Sequence, residues 1–169
     1  MMTHYKKKRF CFILVIVFLF IAMIYSQAEA LSITSQPITF TGVTLNGSDQ
    51  TTSGSTTAWQ ADATDELGGW NVTVFSTDFT SGGNSITVDN FKIRLLDEQI
   101  VLISGEAKPV STQTTFVSLS GSPLKIASAD SGTGNGIYTL TPDFQLDIPA
   151  QTYAGTYTAT VTVTVNVGP

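Results

Sequence analysis

The sequence predicts an all-β chain, a single antiparallel β-sandwich or barrel-like domain behind an N-terminal signal peptide. Three observations carry this prediction. Apolar residues recur at every second position along several segments, turn-forming residues interrupt them at short intervals, and no segment shows the periodicity of an amphipathic helix. Neither an internal repeat nor a second domain is visible across the 169 residues.

Residues 1–30 carry the three parts of a secretory signal in order. Lys6, Lys7, Lys8 and Arg9 form a basic start, Phe10 to Tyr25 is an unbroken apolar run, and Ala28-Glu29-Ala30 supplies small residues for a peptidase. Cleavage after Ala30 is expected. A retained anchor is the competing reading, but the run is shorter than the roughly 20 apolar residues a spanning helix needs.

Beyond that segment, Pro37 to Leu45 alternates through Ile38, Phe40, Val43 and Leu45, with a phase slip at Thr41-Gly42 that predicts a bulge. Asn46-Gly47 is a turn signal. Thr51 to Thr57 is rich in Ser, Thr and Gly and reads as a mobile loop. Trp70, Val72 and Val74 form an inward-facing set, ended by Gly82-Gly83-Asn84. Short strands at Ile86–Val88, Phe91–Leu95 and Ile100–Ile103 are separated by Asp89-Asn90 and Asp97-Glu98. The run Gly132-Thr133-Gly134-Asn135-Gly136 is expected to be the most flexible loop of the chain.

Two long strands close the chain. In the first, Tyr138, Leu140, Phe144, Leu146 and Ile148 alternate with polar residues, and Pro142, which has no amide proton to donate, marks an edge or a break. In the second, Tyr157, Ala159, Val161, Val163, Val165 and Val167 alternate with Thr and Asn. At full extension that run would reach roughly 36 Å, so strong twist or a bulge is expected. The two read as an antiparallel pair joined through Pro149–Thr156.

Composition restricts the chemistry. His4 and Cys11, the chain's single imidazole and thiol, both fall within residues 1–30. The remaining 139 residues therefore have no disulfide, no Ser-His or Cys-His nucleophile pair and no ordinary zinc ligand set. Four basic residues remain against twelve acidic ones, a net charge of −8, which repels phosphate backbones and anionic headgroups. No nucleic-acid partner is expected, and membrane contact only through an uncleaved signal.

Carboxylates are what is left for catalysis. Asp62, Asp65 and Glu66 cluster before Trp70, and Asp97-Glu98 sit in a turn, so an acid and base pair of the glycosidase kind is formally available. Acidic residues in turns are usually just solvated, and the spacing is not that of a calcium loop. The expectation is a non-enzyme with no catalytic residue, metal or cofactor. The sequons at Asn46 and Asn71 read as chance matches.

Aromatic residues offer the other route, because rings on an exposed face stack on uncharged sugars. Trp59, Trp70 and Tyr153 are the candidate contacts. Trp59 and Tyr153 lie out of register with the long apolar runs, whereas Trp70 and Tyr157 are in phase with inward valines and favour the core.

At this point the residues resemble a known family. Ala63 through Val74, with Leu67-Gly68-Gly69-Trp70-Asn71-Val72, followed by Ser76-Thr77-Asp78-Phe79-Thr80, resembles the first block of the bacterial WxL surface domain, in which an acidic turn and glycines precede Trp-x-Leu. Tyr157 through Pro169 is similar to the second block, an alternating strand with its own Trp-x-Leu and a closing proline, and Ile148 through Thr156 resembles the approach to it. Val72 stands where the first motif has leucine, and Val163 and Val165 replace both name-giving residues of the second. Apolar swaps of this kind preserve a core. The resemblance implies a β-sandwich on a Gram-positive-type cell surface, held noncovalently on peptidoglycan and displaying a larger partner protein. The alternative is a structural subunit whose last strand completes a neighbour's sheet by β-augmentation.

Overall fold

The computed structural model describes residues 31–169, and the expected signal peptide with its cleavage point lies outside them. Alternating Thr, Ser and Val with frequent Gly and Asn gives strands and tight turns, with no α-helix among the described residues. Numbered in chain order, β1 (Ser32–Thr34), β2 (Ile38–Phe40), β3 (Gln50–Thr56) and β4 (Trp59–Asp62) come first. After an acidic turn follow β5 (Trp70–Ser76) and the small hairpin of β6 (Phe79–Ser81) and β7 (Asn84–Ile86). Next come β8 (Phe91–Arg94), β9 (Ile100–Gly105), β10 (Val110–Ser111), β11 (Val117–Ser118) and β12 (Leu124–Ala129). Strands β13 (Gly136–Leu140), β14 (Asp143–Ile148) and β15 (Val161–Val167) complete the chain.

One sheet has the order β1-β4-β13-β9, and another runs β2-β3-β14-β8 with β11 at its far side. The two orders correspond position by position. Each position is one stretch of chain interrupted at a common level, so the two sheets form a single layer of four long strands with a bend. Pro37 and Pro142 fall in two of these interruptions, where a missing amide proton costs no ladder bond. Across the bend, the Thr141 amide donates to the Gln99 carbonyl at 3.1 Å and the Leu95 amide to Gln113 at 2.8 Å. The expected break at Pro142 is thus present, and it lies in a central strand.

The opposing layer is β10-β12-β5-β15, again antiparallel. From its centre β5 sends Trp70, Val72 and Val74 inward, all fully buried, as their alternation requires. Trp70 meets Tyr138 of the bent layer with ring centroids 5.7 Å apart. Across the bend itself Trp59 meets Phe144 at 5.9 Å. Phe40, Phe79 and Phe91 form edge-to-face contacts at 5.2 to 5.9 Å, the geometry that ring quadrupoles favour. One core joins the two layers into a sandwich.

Several sequence expectations are corrected by this arrangement. Thr51–Thr57 is no loop, because β3 is an inner strand paired with β14 and β2. Its alternation is invisible since a neighbour supplies the filling: the Phe40 ring lies over Gly54, where a Cβ would come within 2.6 Å of it. The Thr52 hydroxyl also donates to the Thr41 carbonyl at 2.7 Å. The predicted pairing of the two last strands is absent as well. β14 lies between β3 and β8, while β15 pairs with β5 across the sandwich, so Pro149–Thr156 is a crossover between layers. The closing strand begins at Val161, with Thr158 making a separate bridge to Thr80. Finally, the glycine loop is tied down, since the buried Trp70 indole donates to the Gly134 carbonyl at 2.8 Å.

Candidate functional site

Trp59 and Trp70, two of the expected contact residues, are fully buried, Trp70 in the core and Trp59 beneath the groove beside β2. The reason for Trp59 is the bend: β4 starts just past the interruption, so its first side chain turns into the space between the two halves of the layer. Its indole donates to the Gln36 carbonyl at 3.4 Å. Tyr153, the third candidate, is 70% exposed at the tip of the crossover. Tyr157 is half-buried and donates its hydroxyl to the Tyr153 backbone carbonyl at 3.0 Å, which ties the crossover to the Tyr157 ring. Of the remaining motif positions, Val72 is core, Val163 and Val165 pack against the core from the edge strand β15, and Pro169 is exposed.

Between the free side of β2 and residues 157–163 the sandwich leaves an open groove of about 610 Å³. Gln36, Ile38 and Phe40 form one wall and Tyr157, Ala159 and Val161 the other, over a floor reaching Phe79 and Phe91. β2 is the last strand of its sheet, and Val161 begins the edge strand β15. No charged side chain lines the groove, although the chain carries a strong acidic excess elsewhere. The combination suits an uncharged ligand gripped by ring faces, amides and hydroxyls. No direct signal for this groove is legible in the sequence, because one wall lies near residue 38 and the other near residue 159, and the crossover brings them together. Tyr157 and the Ser35-Gln36-Pro37 bend were its legible traces.

Three of the five candidate carboxylates, Asp62, Glu66 and Asp97, accept hydrogen bonds from nearby backbone amides. Asp62 accepts from the amide and the hydroxyl of Thr64 at 3.0 and 2.7 Å, closing the turn after β4. Asp65 takes a positive φ of 68°, and Glu66 is almost wholly buried, one oxygen accepting from the Gly68 amide at 2.6 Å and the other without a partner. Asp97 accepts from the Ser111 amide at 2.8 Å. No group of three or more metal-ligating side chains occurs among the described residues. On the outer face of β8 and β14, Arg94 pairs with Asp143 and Lys92 with Asp147. Burial pushes the Asp147 carboxyl upward, but hydrogen bonds from Lys92, Gln145 and Thr51 and the Lys92 charge outweigh it and hold it below its ordinary value. Burial, and secondarily the charge of Glu106, raises the Tyr138 phenol.

No protein-family model matches the chain, and no curated protein does. Among solved structures, a family 123 glycoside hydrolase from Clostridium perfringens, described for glycolipid glycan hydrolysis, aligns at 20% identity with a TM-score of 0.38. The alignment covers 72% of this chain and 19% of the hydrolase, so the chain spans about a fifth of that protein's length. No helix among the described residues is long and apolar enough to cross a membrane.

Proposed function

We propose that this chain is a secreted, non-catalytic module of the bacterial cell surface that associates noncovalently with peptidoglycan and with a larger surface protein. The observation that carries the reading is the uncharged groove between β2 and Tyr157–Val163, with Tyr157 in its wall and hydrogen-bonded to the backbone of the exposed Tyr153. Teichoic acids are anionic like the protein, so attachment rests on stacking and hydrogen bonds rather than on charge. The WxL resemblance points the same way, since it covers Trp70, Val72 and the closing strand.

Sedimentation with purified wall sacculi in rising sodium chloride tests this. Retention that persists at high salt and falls in Tyr157→Ala supports the reading, because ring contacts are not screened. Release at moderate salt, or no retention at any salt, contradicts it. A second reading, an assembly subunit that lends its last strand, draws on β15 being a Val-Thr edge strand.

A further inference from the structure

The opposite flank of the sandwich carries a different feature. β9 is the last strand of its half-layer, bonded to β13 on one side and to no strand on the other. Its residues Val101, Leu102 and Ile103 are 50, 41 and 57% exposed, and Val110, across the short Glu106–Pro109 link, is 60% exposed. These are four of the eight large apolar side chains that the described residues leave in solvent. The register explains why both faces of β9 are open: Leu102 pairs with Tyr138 and Ser104 with Ile137, so Ile103 is an extra residue that breaks the alternation.

Edge strands are normally guarded by lysine, proline or an inward charge, because a row of free amides and carbonyls recruits another strand. Val101–Ser104 carries none of these. The bulge at Ile103 is the one guard within it, and Lys108 covers the Ile100 carbonyl beside it. The other outermost strands, β1, β2, β6, β7, β10 and β11, are two or three residues long, and β15 alternates its valines with Thr and Asn.

Charge decides what pairs there. Glu98 and Glu106, both exposed, bracket β9, and the one nearby cation, Lys108, is turned onto the carbonyls of Asp97 and Ile100. Two copies joined antiparallel through β9 would set Glu98 of each beside Glu106 of the other, on bodies that already repel through their acidic excess. We infer that β9 is a docking edge for an extended segment of a different protein, apolar at alternate positions and flanked by lysine or arginine, which adds as an outer strand by β-augmentation. This edge lies apart from the groove and does not depend on wall binding.

The test uses a fluorescent peptide of alternating valine and threonine flanked by lysine pairs, titrated into the purified chain. Saturable binding is expected, with exchange protection of the outward β9 amides. Ile103→Lys, at an exposed position that leaves the core intact, should weaken it by at least about tenfold, as should reversing both flanking acids in Glu98→Lys/Glu106→Lys. Methylating alternate peptide amides should abolish it, which attraction between charges alone would not do. No saturable binding, binding that survives methylation or Ile103→Lys, or a concentration-dependent dimer of the chain abolished by Ile103→Lys overturns the inference.

Discussion

Replacing Gly134 by alanine should destabilise the domain far more than the same change two residues earlier, at Gly132. Both glycines have left-handed backbone, with φ of 75° and 78°, so each Ala variant pays a conformational cost of about 1–2 kcal/mol. The surroundings differ. A Cβ at Gly132 meets nothing within 4 Å, whereas at Gly134 it would fall 2.4 Å from the Ala129 Cβ and 2.9 Å from the Trp70 indole nitrogen. Relief requires the loop to move off Trp70, which strains the packing by about 1–3 kcal/mol or orphans the buried indole N–H at a similar cost. The expected losses are therefore about 2–5 kcal/mol for Gly134→Ala and about 1–2 for Gly132→Ala, against a total of roughly 5–15 for a domain of this kind. Urea denaturation followed by tryptophan fluorescence measures both, because Trp59 and Trp70 are buried and are the two tryptophans of the sequence. Equal losses for the two variants, at unchanged denaturant slope, would refute the claim that this loop is clamped on Trp70.

Trp59→Ala should cost about 3–5 kcal/mol, as expected for a ring in the core, while Tyr153→Ala should stay within about 0.5; equilibrium unfolding of the pair compares them directly. For Asp147 the folded-state value is depressed, so its contribution is complete above the ordinary carboxylate range, near about pH 4, and fades as pH falls through and below it. Asp147→Asn should accordingly lower stability at neutral pH by no more than about 1 kcal/mol, with the difference vanishing in acid when unfolding is followed against pH. Deleting residues 157–169 removes β15 and leaves the edge of β5 with which it pairs unbonded, and circular dichroism should show a chain that no longer folds. A folded product that fails to assemble would instead favour the strand-lending reading.

How much of this was legible depended on where each strand finds its contacts. β5 and β14 bury their own apolar side chains on one face, so Trp70, Val72, Val74, Phe144, Leu146 and Ile148 announced them by period two. β3 is equally central, yet Phe40 occupies its inner face above Gly54, and a strand without its own apolar residues reads as a loop. Pairing was harder still. Period two states that a strand is half-buried but names no neighbour, so β14 and β15, adjacent in sequence, were paired although the crossover places them in opposite layers. The burial of Trp59 follows from the bend, which Pro37 and Pro142 marked only singly. Tyr153 was found because a turn-rich crossover leaves a ring no core to enter. The groove needed both ends of the chain at once.

Chemical-shift mapping of the isotope-labelled chain with solubilised peptidoglycan fragments decides whether the groove holds wall polymer. Saturable shifts are expected at Gln36, Thr39, Tyr157 and Thr158, insensitive to added salt and lost in Tyr157→Ala. Fragments that leave the spectrum unchanged, or that shift only residues remote from the groove, would contradict wall binding there.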